Sequence, residues 1–130
     1  PKPSSAASDV YKRQTFGGNP ISCAAANAVI SEIKEKRYLL SNAKKGKLLE
    51  ESIKNISGVK EVRGRGLLIG IEFTNPIAEN AGLKLEKAGF LINSVNPNTI
   101  RLAPSYLIKD SDIKRFTESL KEIVGGSKNE

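Results

Sequence analysis

Val59-Lys60-Glu61-Val62-Arg63-Gly64-Arg65-Gly66-Leu67-Leu68-Ile69-Gly70-Ile71-Glu72-Phe73 is the stretch on which the fold turns. Branched and aromatic residues lie on both sides of Gly64-Arg65-Gly66. That pattern predicts two short strands, Val59 to Arg63 and Leu67 to Phe73, joined by a glycine turn. The second run alternates poorly and is expected to be buried on both faces. Gly64, Gly66 and Gly70 imitate a dinucleotide-binding fingerprint. Such a fingerprint needs its glycines between a strand and a helix start, whereas Leu67 to Ile71 continues as a strand, so these glycines read as turn and packing devices. Glu72 alternates outward from the apolar positions or meets a neighbouring element, and it is assigned no catalytic task.

Helical spacing governs the chain on either side. Upstream, Tyr38 to Ile56 places Leu39, Leu40, Ala43, Leu48, Leu49 and Ile53 along one apolar stripe, with Gly46 as its weak point and Ser57-Gly58 as its end. Before it, Pro20 to about Lys36 repeats Ala24, Ala25, Ala28, Val29 and Ile33 at helical spacing, a face of small residues suited to close packing. Cys23 in that helix reads as a small core residue; alone, it has no internal disulfide partner. Downstream, Pro76 to Ala88 predicts a helix that Gly89 closes. Phe90 to Asn93 and Thr99 to Leu102 then predict a strand pair around the turn-rich Ser94-Val95-Asn96-Pro97-Asn98. Asp110-Ser111-Asp112 opens a last helix that buries Ile113, Phe116, Leu120, Ile123 and Val124, and residues 125–130 are expected to be a disordered tail. The order helix, helix, strand, strand, helix, strand, strand, helix is an α+β layout, with helices layered on a mostly antiparallel sheet.

Composition narrows the function classes. A chain of 130 residues with 38% hydrophobic content can bury one modest core. No apolar run is long enough to cross a membrane and no secretory signal is visible, so the cytoplasm is the expected location. The absence of histidine removes the commonest general base and metal ligand, and no metal site is expected. The net charge of +7 does not mark a nucleic-acid binder. Its lysines and arginines alternate with glutamates along helical segments, and aromatic residues are too dispersed for a stacking platform.

Two further motifs carry chemistry. Thr15-Phe16-Gly17-Gly18-Asn19-Pro20 leads straight into the small-residue helix. Asn19 suits the cap and Pro20 the first helical position, so the helix start faces an unhindered loop whose amides attract anions. An ordinary capped helix is the plainer reading of the same residues. The second motif is Ile100-Arg101-Leu102-Ala103-Pro104. Arg101 points opposite to its apolar neighbours, and Pro104 opposes continuation of the sheet. A guanidinium near a strand end can grip a carboxylate with two parallel hydrogen bonds, or it can form a structural salt bridge with a glutamate.

These motifs and the Val62 to Glu72 strand, in this order, resemble the class III pyridoxal-phosphate-dependent aminotransferases from Thr15 to about Val124. Within that family the chain is most similar to the acetylornithine branch. The resemblance implies a fold-type I transferase, with residues 15–36 ending its large domain and 37–124 forming its C-terminal small domain. It implies pyridoxal 5'-phosphate as cofactor, with the Thr15 hydroxyl given to the cofactor phosphate of the partner in a homodimer. It also places Arg101 on the substrate side of the active site. The branch exchanges an amino group between N-acetylornithine and 2-oxoglutarate in arginine biosynthesis; sister enzymes act on ornithine, succinyl-diaminopimelate or 4-aminobutyrate. The family's Schiff-base lysine and its pyridine-binding acid both precede the Thr15 motif, so no catalytic residue is assigned within the chain, and it is expected to be an inactive C-terminal fragment on its own. Residues 1–14 depart from the family pattern, and Ser4 to Gln14 resembles a translated sequencing adapter, a leader set aside from fold reasoning. A stand-alone α+β binding or assembly module remains the alternative from another class.

Overall fold

The computed structural model describes residues 18–125 and divides the chain into two compact units, the first ending at Arg37 and the second starting at Tyr38. The Ser4 to Gln14 leader and Thr15 lie outside the described residues, as do residues 126–130.

In the first unit, helix α1 (Pro20–Glu35) starts where the capping chemistry places it. Asn19 is extended, and its side-chain oxygen accepts from the Ser22 amide at 2.9 Å. Pro20, which has no N–H to leave unpaired, stands at the first position. Arg37 adopts a φ of +53° just beyond the helix. None of the residues of α1 is buried, and Cys23 is exposed. The expected close packing of Ala24, Ala25 and Ala28, and the core role of Cys23, are therefore not met among the described residues. The helix period is present, but burial also needs a covering element.

The second unit runs α2 (Tyr38–Ile53), β1 (Val59–Arg65), β2 (Leu68–Phe73), α3 (Ala78–Lys87), β3 (Asn93–Asn96), β4 (Thr99–Leu102) and α4 (Asp110–Gly125). Its sheet has the order β1-β2-β4-β3, and every neighbouring pair is antiparallel. The core lies between one face of that sheet and the helices. Leu49 and Ile53 of α2, Leu85 of α3 and Phe116 and Leu120 of α4 close over Ile69, Ile71, Phe73, Ile100 and Leu102. The α+β layout with an antiparallel sheet is the one expected from the element order.

Several details differ, each for a local reason. The β1–β2 turn is Gly66-Leu67, because Arg65 already pairs with Leu68; Gly66 takes a φ of +59°, which glycine adopts without strain. Strand β2 alternates after all: Ile69, Ile71 and Phe73 are buried while Leu68, Gly70 and Glu72 are not. Only one of its faces meets helices, so burial on both faces does not occur. On α2 the buried line is Asn42, Gly46, Leu49 and Ile53, whereas Leu39, Leu40 and Leu48 are exposed. The side-chain amide of Asn42 is buried there without a hydrogen-bond partner among the described residues.

Gly46, a weak point of α2 by propensity, is also where the helix closely approaches the hairpin. A Cβ on it would lie 2.1 Å from the Gly66 carbonyl oxygen, which is backbone and cannot swing aside. Gly46→Ala is therefore expected to lower the stability of the purified chain by about 1–3 kcal/mol, the usual cost of overpacking. The helix-propensity gain of up to about 1 kcal/mol offsets only part of that. The urea midpoint checks it.

Helix α3 ends in a Schellman motif in which Gly89, at φ +88°, donates to the Glu86 carbonyl and Phe90 to that of Leu85. Those bonds hold Phe90 at the helix end. Its ring meets Phe116 edge-on at 5.4 Å, and the Arg115 guanidinium lies 4.8 Å from its centroid. Phe90 to Ile92 thus pack without pairing, β3 begins three residues later than the apolar run suggests, and the turn shrinks to Pro97-Asn98. Helix α4 starts with the Asp112 carboxylate accepting from the Lys109 amide at 3.2 Å, the back-reaching half of a capping box, and it takes in Gly125.

Candidate functional site

Strand β4 presents Arg101 as its one exposed residue, with Thr99, Ile100 and Leu102 buried. Alternation alone sends Arg101 to the face opposite Ile100 and Leu102, the face that carries Gly70 and Glu72 of β2. The pairing sets its neighbours: Gly70 lies across from Arg101 on one side and Asn93 on the other. The strand stops at Leu102, before Ala103-Pro104, so the guanidinium stands near a strand end. Among the described residues Arg101 forms no salt bridge.

Most of the other charges on this face are matched, although Arg65, exposed and across from Leu68, also forms no salt bridge among the described residues. Glu72 sits between Lys60 and Arg63, each at 2.6 Å, and Arg63 also reaches Glu61 at 3.0 Å. The hydrogen bonds from Lys60 and then Arg63 hold the Glu72 carboxyl below its usual range, and the same bonds raise both cations. A depressed carboxyl pKa stabilises the fold above the unfolded-state value, and that contribution is lost as pH falls through the depressed one. Glu72→Gln is accordingly expected to flatten the acid limb of a melting-temperature profile slightly, with salt reducing the difference, since the group is solvent-screened. Glu72 alternates outward and meets neighbours, and nothing in its contacts gives it a chemical task.

At the start of α1, Gly18 takes a φ of +76°, and among the described residues a Cβ built on it would meet nothing within 4 Å. Gly18, just before the Asn19 cap, is thus uncrowded by the described residues, a setting compatible with an anion near the helix start. Thr15 itself lies outside the described residues, and Arg101 belongs to the other unit, so the two expected site residues are not brought together in one described site. Gly70, expected with Gly64 and Gly66 to be a turn and packing device, instead lies within β2 with no crowding neighbour among the described residues, and its place beside Arg101 carries no signal in the chain itself because pairing partners are distant in sequence. Among the described residues there is no group of three His, Cys, Asp or Glu side chains that could hold a metal, and no helix is long and apolar enough to cross a membrane.

The profile of the aminotransferase class-III family matches residues 2–124. The chain belongs to the class-III aminotransferases. The family match begins within the leader, at residue 2. The acetylornithine aminotransferase of Corynebacterium efficiens is 40% identical over 110 residues, covering 85% of this chain and 27% of that protein. Among solved structures, the acetylornithine aminotransferase of Elizabethkingia anophelis superposes with a TM-score of 0.79 at 29% identity, covering 86% of this chain and 31% of the other. The ornithine aminotransferase of Toxoplasma gondii, with pyridoxal phosphate in partial occupancy at its active site, gives 0.73 at 25% identity, over 85% of this chain and 28% of its own. This class-III chain therefore spans under a third of the length of the relatives it matches.

Proposed function

We propose that this class-III segment supplies the substrate-carboxylate contact and part of the cofactor-phosphate contact of an acetylornithine aminotransferase. The single observation behind the reading is Arg101, a guanidinium free of salt bridges among the described residues, on the outer face of the sheet at a strand end. Its planar fork suits the carboxylate that every amino-acid donor and 2-oxo acid acceptor carries. The Thr15 hydroxyl and the amides leading into α1 would hold the phosphate of pyridoxal 5'-phosphate in the partner subunit of a homodimer, and the uncrowded setting of Gly18 among the described residues is compatible with that reading. When bound, the cofactor supplies the electron sink that amino transfer requires. The chain's own residues bind and orient; the lysine that moves the proton is assigned to the region upstream of the Thr15 motif, and the chain alone is proposed to be inactive. A cytoplasmic enzyme of arginine biosynthesis is part of the same proposal and rests on the sequence resemblance; one similar protein, the acetylornithine aminotransferase of Eremothecium gossypii, is mitochondrial.

Ornithine is the second donor to be weighed, because a similar solved structure is an ornithine aminotransferase. Assaying the intact enzyme with N-acetylornithine, ornithine, succinyl-diaminopimelate and 4-aminobutyrate, each against 2-oxoglutarate, decides between them. The highest kcat/KM is expected for N-acetylornithine; a preference for any other donor overturns the substrate assignment and leaves the carboxylate role of Arg101 intact. In a parallel experiment, borohydride reduction of the 130-residue chain with cofactor is expected to fix pyridoxal on no single lysine.

A further inference from the structure

We infer that Gly70 forms the floor of the carboxylate subsite at Arg101 and sets how closely the substrate approaches the sheet. This rests on the carboxylate role proposed for Arg101 and adds a positioning residue to it. Glycine weakens a strand relative to alanine, so a glycine at the centre of β2 needs a reason. Backbone conformation is not that reason, since Gly70 is absent from the positive-φ residues of the described chain. Packing among the described residues is not the reason either. A Cβ at Gly70 would find the Arg63 carbonyl oxygen at 3.7 Å, the Arg63 Cγ at 3.8 Å and the Thr99 Cγ2 at 4.0 Å, all ordinary contacts. Gly46 and Gly64 differ, since a Cβ on either would strike backbone at 2.1 Å.

What remains is a group from outside the described chain that comes down onto the sheet at this point. Its charge follows from the row in which Gly70 lies. Register places Arg63 directly on one side of Gly70 and Arg101 on the other, so the missing side chain leaves a gap between two guanidinium-bearing residues. The charge of Arg63 is already met by Glu72 and Glu61, and that of Arg101 is met by no salt bridge among the described residues. An anion lying over Gly70 completes the row. A carboxylate fits it: flat, able to accept the two parallel hydrogen bonds of the Arg101 fork, and thin enough to rest on a bare peptide. A methyl group at residue 70 would lift the carboxylate off the sheet and out of the plane of that fork.

The test uses the intact enzyme and glutarate, a dicarboxylate with no amino or oxo group to react, as a competitive inhibitor. Gly70→Ala is expected to raise the inhibition constant of glutarate about tenfold and Gly70→Val more, with the KM for 2-oxoglutarate rising in step and kcat changing less. The melting temperature should stay level or rise. Inhibition constants within twofold of the wild type in both variants overturn the inference. So does a fall in melting temperature in both, because the floor is then covered by another stretch of polypeptide. Arg101→Lys serves as the control: if it leaves glutarate binding unchanged, the carboxylate reading of Arg101 has failed; if it weakens binding while both Gly70 variants do not, only the inference about Gly70 has failed.

Discussion

Arg101→Lys in the intact enzyme is expected to lower kcat/KM by roughly thirtyfold to a thousandfold, through a raised KM for the amino donor, the 2-oxo acid or both. The basis is the loss of a bidentate, charge-assisted contact of about 2–4 kcal/mol, which lysine cannot replace because its ammonium is a point charge without a planar fork. Stability should change little, since Arg101 is exposed and forms no salt bridge among the described residues. The opposite pattern, a lower melting temperature with near-normal kinetics in the molecules that stay folded, would assign the arginine to a structural ion pair in the complete protein. Both quantities measured on one preparation decide the matter.

Thr15→Ala in the intact enzyme is expected to weaken cofactor retention by tenfold to more than a hundredfold while leaving folding nearly unchanged. One charge-assisted hydrogen bond to a phosphate is worth about 1.5–3 kcal/mol, which converts to that range of dissociation constants. An unchanged dissociation constant for pyridoxal phosphate sinks the assignment. The proposed crossing of the dimer gives a sharper measurement. Thr15→Ala subunits paired with subunits that lack the catalytic lysine should form mixed dimers with one working site, combining the intact lysine of one subunit with the intact threonine of the other. If both contacts came from the same subunit, mixing would restore nothing.

Sequence and structure part where tertiary contact chooses among options that the sequence leaves equal. The β1–β2 hairpin was legible because its glycines and branched residues act locally, and its turn was misplaced only within the Gly64 to Leu67 stretch. The face of α2 was not. Leu39, Leu40 and Leu48 are as apolar as Leu49, and only the position of the hairpin, against which Gly46 must lie, selects the Asn42, Gly46, Leu49, Ile53 line. Phe90 to Ile92 show the same limit. Their apolar character fits a strand, but the Schellman closure at Gly89 and the contact with Phe116 use Phe90 as a packing residue.

At the candidate site, the outward direction of Arg101 follows from alternation and was legible without a structure, as was the break at Pro104. Its neighbours were not, because β2 and β4 are separated by a helix and a further strand in the chain, and their register is set by burying Ile69, Ile71, Ile100 and Leu102 together. Local chemistry in the sequence thus determined the order of elements, the Asn19 cap, the Gly89 stop and the family motifs at Thr15 and Arg101. The tertiary structure alone decided which helix faces are buried, that Glu72 is clamped between Lys60 and Arg63, and that Gly70 lies bare beside Arg101. The physical reason is that capping, turn formation and strand alternation depend on neighbours in the chain, whereas pairing register and close approach depend on which distant surfaces exclude water together.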